Sequence, residues 1–225
     1  MDTLHIANKL YSSWSMRPWV LMMELGIPFE EVMHPFGEPG YWDAFSPSGR
    51  VPCLHSDGLI VWESLAIVEF LNERYRGVWP ADATARAWAR CAASEMHAGF
   101  QTLRQQCSMH CGLRVRLHHV PELLQRDIDR IVQLWNEGLE RFGGSFLAGY
   151  WFTAVDAFFV PVAIRFENYG IPLTGPAEAY KQRLLGLASV RSWIDAALRE
   201  PWTDEEHDRD VRNAGVVLED MRVRG

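Results

Sequence analysis

Several things are scarce in this sequence, and each shortage closes off a class of protein. Four cysteines, Cys53, Cys91, Cys107 and Cys111, are scattered through 225 residues, too few and too dispersed for a disulfide scaffold. No C-x-x-C or H-x-x-x-H spacing occurs. His110 and Cys111 in "SMHCG" and His118 and His119 in "LHH" therefore lack metal-site spacing, and no metal is expected. Basic residues are outnumbered, 22 against 29, for a formal charge of −7. This argues against a general nucleic-acid binder. No apolar run approaches the ~20 residues of a membrane span. No basic stretch followed by an apolar one opens the chain, so a reducing, cytoplasmic setting is expected. Low-complexity tracts and internal repeats are absent too. What remains is about half apolar and about a quarter charged, the profile of a globular protein with a sizeable core.

Two halves of the chain follow different patterns. Residues 1–80 alternate short apolar strands with helical segments. "LHIAN" (4–8) reads as a strand and "SMRPWVLMMELG" (15–26) as a helix, with Pro18 in its first turn and Gly26 ending it. "FEEVM" (29–33) is a second strand. After a long polar and aromatic loop, "VPCLHSDGLIVW" (51–62) reads as a hairpin around Ser-Asp-Gly. "ESLAIVEFLNERY" (63–75) is an amphipathic helix. Residues 81–87 read as a linker. Beyond it every segment reads as helical, with no convincing strand after residue 80. "ARAWARCAASEMHAGFQTLRQQCSMHC" is one long helix candidate, and a second carries Leu124, Ile128, Ile131, Trp135 and Leu139 on one stripe. The expected fold is a small α/β domain at 1–80, an all-helical domain at 87–213 and a polar tail at 214–225 that packs over the site or stays mobile.

Four short stretches carry chemical potential. "YSSWSMRPW" (11–19) puts Ser12, Ser13 and Ser15 at a helix N-terminus, where free N–H groups and a partial positive charge favour an anion. In "GRVPCL", Pro52 begins an apolar strand; it is either an edge proline or a cis bond that leaves the Val51 backbone open to a peptide-like ligand. In "WESLAIVEFL", Glu63 and Ser64 start a helix and serve as a cap, or as the grip on a ligand ammonium and carboxylate. In "FTAVDAFF", Thr153 and Asp156 have capping-box spacing, a structural feature whose loss costs ~1 kcal/mol.

In this order, and over nearly the whole chain, these motifs resemble the cytosolic glutathione transferase superfamily. "SSWSMR" resembles the catalytic segment of its serine-type classes, in particular zeta-like and related bacterial members. "RVPCL" resembles the cis-proline segment, "ESLAIVEFL" the Glu-Ser motif, and "TAVDAFFVPV" the capped buried helix of the second domain. The resemblance implies a thioredoxin-like N-terminal domain (β-α-β-β-β-α), an all-helical C-terminal domain, a homodimer, and an enzyme with glutathione as co-substrate and a small electrophile as partner. Where cysteine-type members carry a reactive Cys, close to Trp14, there is none, which counts against a disulfide reductase. Zeta-like members read Ser-Ser-Cys where this chain reads Ser-Ser-Trp, which puts the zeta isomerase activity in doubt.

The resemblance assigns roles to residues. Ser13, Ser12 or Ser15, in that order, would donate a hydrogen bond to the glutathione sulfur. A thiol near pKa ~8.5 is only about 3% ionised at pH 7. Lowering it by ~2 pH units requires about 2.7 kcal/mol. A hydroxyl bond to an anion supplies roughly 1.5–3 kcal/mol and the helix N-terminus roughly 0.3–1 kcal/mol, so the two suffice. Val51 and Pro52 would meet the cysteinyl backbone, Glu63 and Ser64 the γ-glutamyl end, and Arg50 the glycyl carboxylate. Arg17 would support the site or form an exposed ion pair. Trp14, Met16, Phe36, Phe100 and Met109 are candidates for the electrophile wall. Transfer, glutathione-dependent isomerisation or dehalogenation, and a non-catalytic binding or scaffold role all remain open at this stage.

Overall fold

The computed structural model describes residues 1–37 and 40–223. Glu38 and Pro39, inside the long loop, and the last two positions of the expected tail, 224 and 225, lie outside the described residues. The N-terminal unit runs β1 (Asp2–Ile6), α1 (Ser13–Glu24), β2 (Phe29–Met33), a short 3-10 helix (Tyr41–Ala44), β3 (Cys53–Ser56), β4 (Leu59–Trp62) and α2 (Ser64–Arg74). Its sheet has the order β2-β1-β3-β4. β1 and β2 are parallel, and β3 is antiparallel to both β1 and β4. The parallel pair needs a crossover, and α1 supplies it. Strand alternation sends Leu4 and Ile6 into the core, while Thr3 and His5 stay half-buried on the other face. This is a thioredoxin-like domain.

The chain then becomes helical: α3 (Ala83–Ala98), α4 (Gln101–Gln106), α5 (Glu122–Phe142), α6 (Ala154–Asn168), α7 (Gly175–Leu185), α8 (Ala188–Leu198) and α9 (Glu205–Ala214). On α5 the expected stripe is buried at Leu124, Ile128, Ile131 and Trp135, and Leu139 packs against it. Gly138 continues the stripe because α5 passes close to its neighbours there. A Cβ would come within 2.5 Å of the Trp88 ring and 2.6 Å of the Leu147 carbonyl. Helix α6 is the central rod, buried nearly throughout and packed on α1, α3 and α7.

The structure corrects several sequence expectations. Strands do occur after residue 80: β5 (Leu113–Leu117) and β6 (Gly215–Asp220) form an antiparallel ribbon. "LRVRL" carries a period-2 pattern, but a two-stranded ribbon whose partner lies about a hundred residues away is invisible to local reading. The long helix candidate breaks into α3 and α4 at Gly99 and Phe100, where Phe100 adopts a left-handed φ of 57°. Pro18 falls in the second turn of α1, because the helix starts at Ser13 rather than Ser15. Its ring has no N–H to offer the turn before it. Residues 214–223 of the expected tail are the last residue of α9, strand β6 and a short end segment.

The C-terminal end of the helical half folds back onto the loop between β1 and α1. Glu200 accepts hydrogen bonds from the Lys9 and Leu10 N–H groups at 2.7 and 3.3 Å. Trp193 Nε1 donates to the Lys9 carbonyl at 2.9 Å. Asp208 accepts from the Tyr11 hydroxyl at 2.8 Å and from Arg222 at 2.7 Å, and pairs with His110 Nε2 at 3.1 Å.

Two stability predictions follow from buried polar groups. Asp156, fully buried, takes hydrogen bonds from Leu147 N and Tyr180 Oη on one oxygen and from Thr153 N and Oγ1 on the other. Asp156→Ala would orphan several buried donors at once. Chemical denaturation should show a loss of about 3 kcal/mol or more, well beyond a cap alone; a loss of only ~1 kcal/mol would reduce it to an ordinary cap. On the sheet's other face His5 stacks with His34, His55 and Phe45, and burial, with His55 and His34 adding to it, pushes its imidazole down to about 4. The folded state favours neutral His5, so its contribution is complete above pH ~6.5 and is lost as pH falls towards 4. Proton NMR of the folded protein should place the His5 titration below pH 5; a midpoint near 6.5 would refute this.

Candidate functional site

Two adjoining cavities, about 530 and 420 Å³, form one cleft between the sheet domain and the helices. Such volumes are typical of small-molecule sites. Trp14, Arg50, Val51, Gln101 and Arg104 line both.

The first cavity brings together residues from separate motifs. The Val51–Pro52 peptide is cis, and both residues line the wall with Arg50 and Glu63. The loop before them is shaped by Ser46, whose hydroxyl donates to the Arg50 carbonyl at 2.6 Å. Glu63 holds a left-handed φ of 70° at the entry to α2, a conformation rare for a non-glycine residue and one that clusters at functional sites. Ser64, the first residue of α2, is fully buried and its hydroxyl has no partner. From the helical side come His97, Ala98, Gln101 and Arg104.

The second cavity contains Ser12 and Ser13. Ser12 is the N-cap of α1; its oxygen accepts from Ser15 N at 3.4 Å while its hydroxyl donates to Ser15 Oγ at 2.8 Å. Ser15 Oγ also accepts from Ala7 N at 3.2 Å. Ser15, also expected among the catalytic hydroxyls, is fully buried and, like Ser64, lines neither cavity. Its position as helix cap belongs to Ser12. Ser13 makes one hydrogen bond, accepting from Arg165 Nη2 at 3.4 Å, which leaves its proton available. Tyr11, the rival hydroxyl in this cavity, donates to Asp208 and accepts from Asp204 N. Burial and Asp208 push its phenol up, so it stays a neutral, committed donor.

The five residues expected in the electrophile wall divide in their placement. Trp14, Phe36 and Met109 line the second cavity. Met16 and Phe100 do not: both belong to the hydrophobic core, because helical spacing alone does not distinguish a wall from the packing behind it. Arg17 forms no exposed ion pair. It is fully buried, none of its guanidinium nitrogens has a partner, and it stacks on Trp14 and Phe158 at 4.1 and 4.8 Å. Trp42, Arg104, Arg165 and His207 were missed as site residues. A lone Arg165 inside the apolar run "FFVPVAIRF" was the available signal, since a buried cation needs a reason. Burial and the cation of Arg104 bring Arg165 down to about 10. None of the four cysteines lines either cavity: burial pushes Cys107 and Cys111 up to about 12, and Cys53, also raised, donates to the Phe45 carbonyl.

A thioredoxin-like domain followed by a helical one is a glutathione S-transferase-like fold. Residues 11–74 match the family model for the glutathione S-transferase N-terminal domain. Over 61 residues the chain is 41% identical to the glutathione S-transferase-like protein gedE of Aspergillus terreus and 34% identical to the dichloromethane dehalogenase of Methylorubrum extorquens. Each match covers 25% of this chain, and 26% and 21% of those relatives, so about a quarter of their length is spanned. A glutathione transferase homologue from Burkholderia, solved with bound glutathione, superposes with a TM-score of 0.66 at 22% identity, covering 87% of this chain and 97% of that one. Among the described residues no helix is long and apolar enough to cross a membrane.

The serine cluster makes its own prediction. Ser15→Ala leaves the buried Ala7 N–H without its acceptor and should lower the unfolding free energy by about 1–2 kcal/mol in urea. An unchanged midpoint would show that the hydroxyl is dispensable to the helix start.

Proposed function

We propose that this protein is a cytoplasmic glutathione transferase of the serine type, acting as a homodimer in detoxification of a small electrophile. The observation that carries the reading is the meeting of cis Pro52, Glu63 and Ser13 in one cleft, with the buried Ser64 next to Glu63 at the start of α2. The first cavity has the size and polarity for a tripeptide. Glu63 faces the γ-glutamyl ammonium, the unpartnered Ser64 hydroxyl and the start of α2 take the adjoining carboxylate, Val51 pairs with the cysteinyl backbone, and Arg50 takes the glycyl carboxylate. The sulfur then points towards Ser13, where the second cavity begins.

Ser13 donates its free proton to the thiolate and is never ionised itself. Arg165, on the far side of that hydroxyl, adds a fixed positive charge. A hydrogen bond to an anion of roughly 1.5–3 kcal/mol, together with the helix terminus, makes the thiolate the majority form at neutral pH. The electrophile enters the second cavity. Transfer is favoured over a purely binding role because the Ser13 proton is uncommitted, while Ser12 and Tyr11, the other hydroxyls of the helix-entry segment in this cavity, donate to Ser15 and Asp208. The N-terminal match to a dehalogenase leaves the fate of glutathione, consumed or regenerated, to the chemistry of that electrophile.

Calorimetric titration with glutathione, paired with ultraviolet difference spectra across pH, tests this. The wild type should bind and show a thiolate band at pH 7. In Ser13→Ala the apparent thiol pKa should move back towards ~8.5 and kcat/KM fall roughly 10- to 100-fold, with glutathione still bound. Absence of binding at millimolar glutathione overturns the transferase reading; normal turnover in the Ser12→Ala/Ser13→Ala double variant overturns the serine mechanism.

A further inference from the structure

The cleft holds more positive charge than glutathione uses. Arg104 and Arg165 lie close enough to Arg17 to lower its proton affinity, and Arg104 lowers that of Arg165. Glu63 is the carboxylate that acts on Arg17, and none of the three arginines forms an ion pair with a carboxylate among the described residues. Arg104 donates to the carbonyls of His97 and Gly99 at 3.3 and 3.5 Å, keeps a buried nitrogen with no partner, and stacks on Trp14 at 4.2 Å. Arg165 donates to the carbonyls of Cys107 and Pro161 and to Ser13. These partners are neutral dipoles. A buried cation without a counter-charge is costly, and an anion entering here would relieve that cost.

The proposed pose of glutathione already assigns both of its carboxylates, to Arg50 and to Ser64 with the start of α2. Arg165 lines only the second cavity, and Arg104 reaches both. Resting on the transferase reading, we propose that the co-substrate is an organic anion, an electrophile bearing a carboxylate. Its charge is received by Arg104 and Arg165 beside Ser13, and its apolar body lies against Tyr11, Phe36 and Trp42. A guanidinium fork matches a carboxylate in two parallel hydrogen bonds, and Trp14 holds the Arg104 fork in place by stacking. For an α,β-unsaturated ketone of this class, the sulfur bonds the β-carbon, the C=C electron pair moves into an enolate, and the α-carbon takes a proton from water. The carboxylate orients the substrate and is unchanged.

The test uses an unreactive matched pair, 4-phenylbutanoate and 4-phenylbutanamide, titrated calorimetrically into the wild type with and without saturating glutathione. The acid should bind at least tenfold tighter than the amide. That preference should drop below about threefold in Arg104→Gln and be partly restored in Arg104→Lys. Equal binding of acid and amide to the wild type overturns the inference, and that comparison needs no variant to fold. A preference that survives in Arg104→Gln, with glutathione binding lost instead, also overturns it and assigns Arg104 to glutathione. The two readings fail separately. Acid preference without any glutathione binding leaves the anion site standing and removes the transferase. Glutathione binding and turnover without acid preference does the reverse.

Discussion

Helix α6 sets the cleft. At its start, Asp156 is fully buried and takes four hydrogen bonds, from the Thr153 turn, from Leu147 and from Tyr180. At its other end Arg165 reaches Ser13 across the domain junction. The buried carboxylate fixes the depth and rotation of a helix that has almost no solvent-facing side. That in turn fixes where a buried cation meets the first residue of α1. A shift of a single turn would slide Arg165 by about 5.4 Å and leave Ser13 without it.

The second constraint is the clamp on the loop before α1. The loop after β1 is held from residues nearly two hundred positions away: Glu200 on the Lys9 and Leu10 N–H groups, Trp193 on the Lys9 carbonyl, and Asp208 on Tyr11. The C-terminal segment thus closes one wall of the second cavity through His207. It also fixes the loop that delivers Ser12 and Ser13. Binding elements of the sheet domain and chemistry at the junction are coupled through this clamp, so the second cavity is a product of both halves of the chain.

Charge organises the rest. Trp14 stacks with Arg17 and Arg104. An indole face is one of the few apolar surfaces that welcomes a desolvated guanidinium. The bulk that crowds the cleft is therefore also what allows two cations to sit in it. Polar and aromatic groups share the second cavity, which suits a ligand with one charged end and one flat apolar body.

Much of this was legible from residue order. The β-α-β-β-β-α pattern, the amphipathic stripe of α5, the cis-capable Pro52, the Glu63–Ser64 helix start and the Thr153–Asp156 spacing are local, and local physics of periodicity, capping and turn chemistry fixes each within a few residues. The β5–β6 ribbon, the break at Phe100 and the separation of Met16 and Phe100 from the second cavity depend on partners far off in sequence. So does the division of labour among three serines. A hydroxyl's role depends on its partners and its burial: Ser12 gives its proton to Ser15, Ser15 accepts from Ser12 and Ala7 and lines neither cavity, and Ser13 lines the second cavity and faces a guanidinium that has no lone pair to offer. Sequence determined that hydroxyls would stand at a helix N-terminus. Only the packing of α6 and the C-terminal clamp decided which one stays free, because hydrogen-bond partners and burial are set by tertiary contacts.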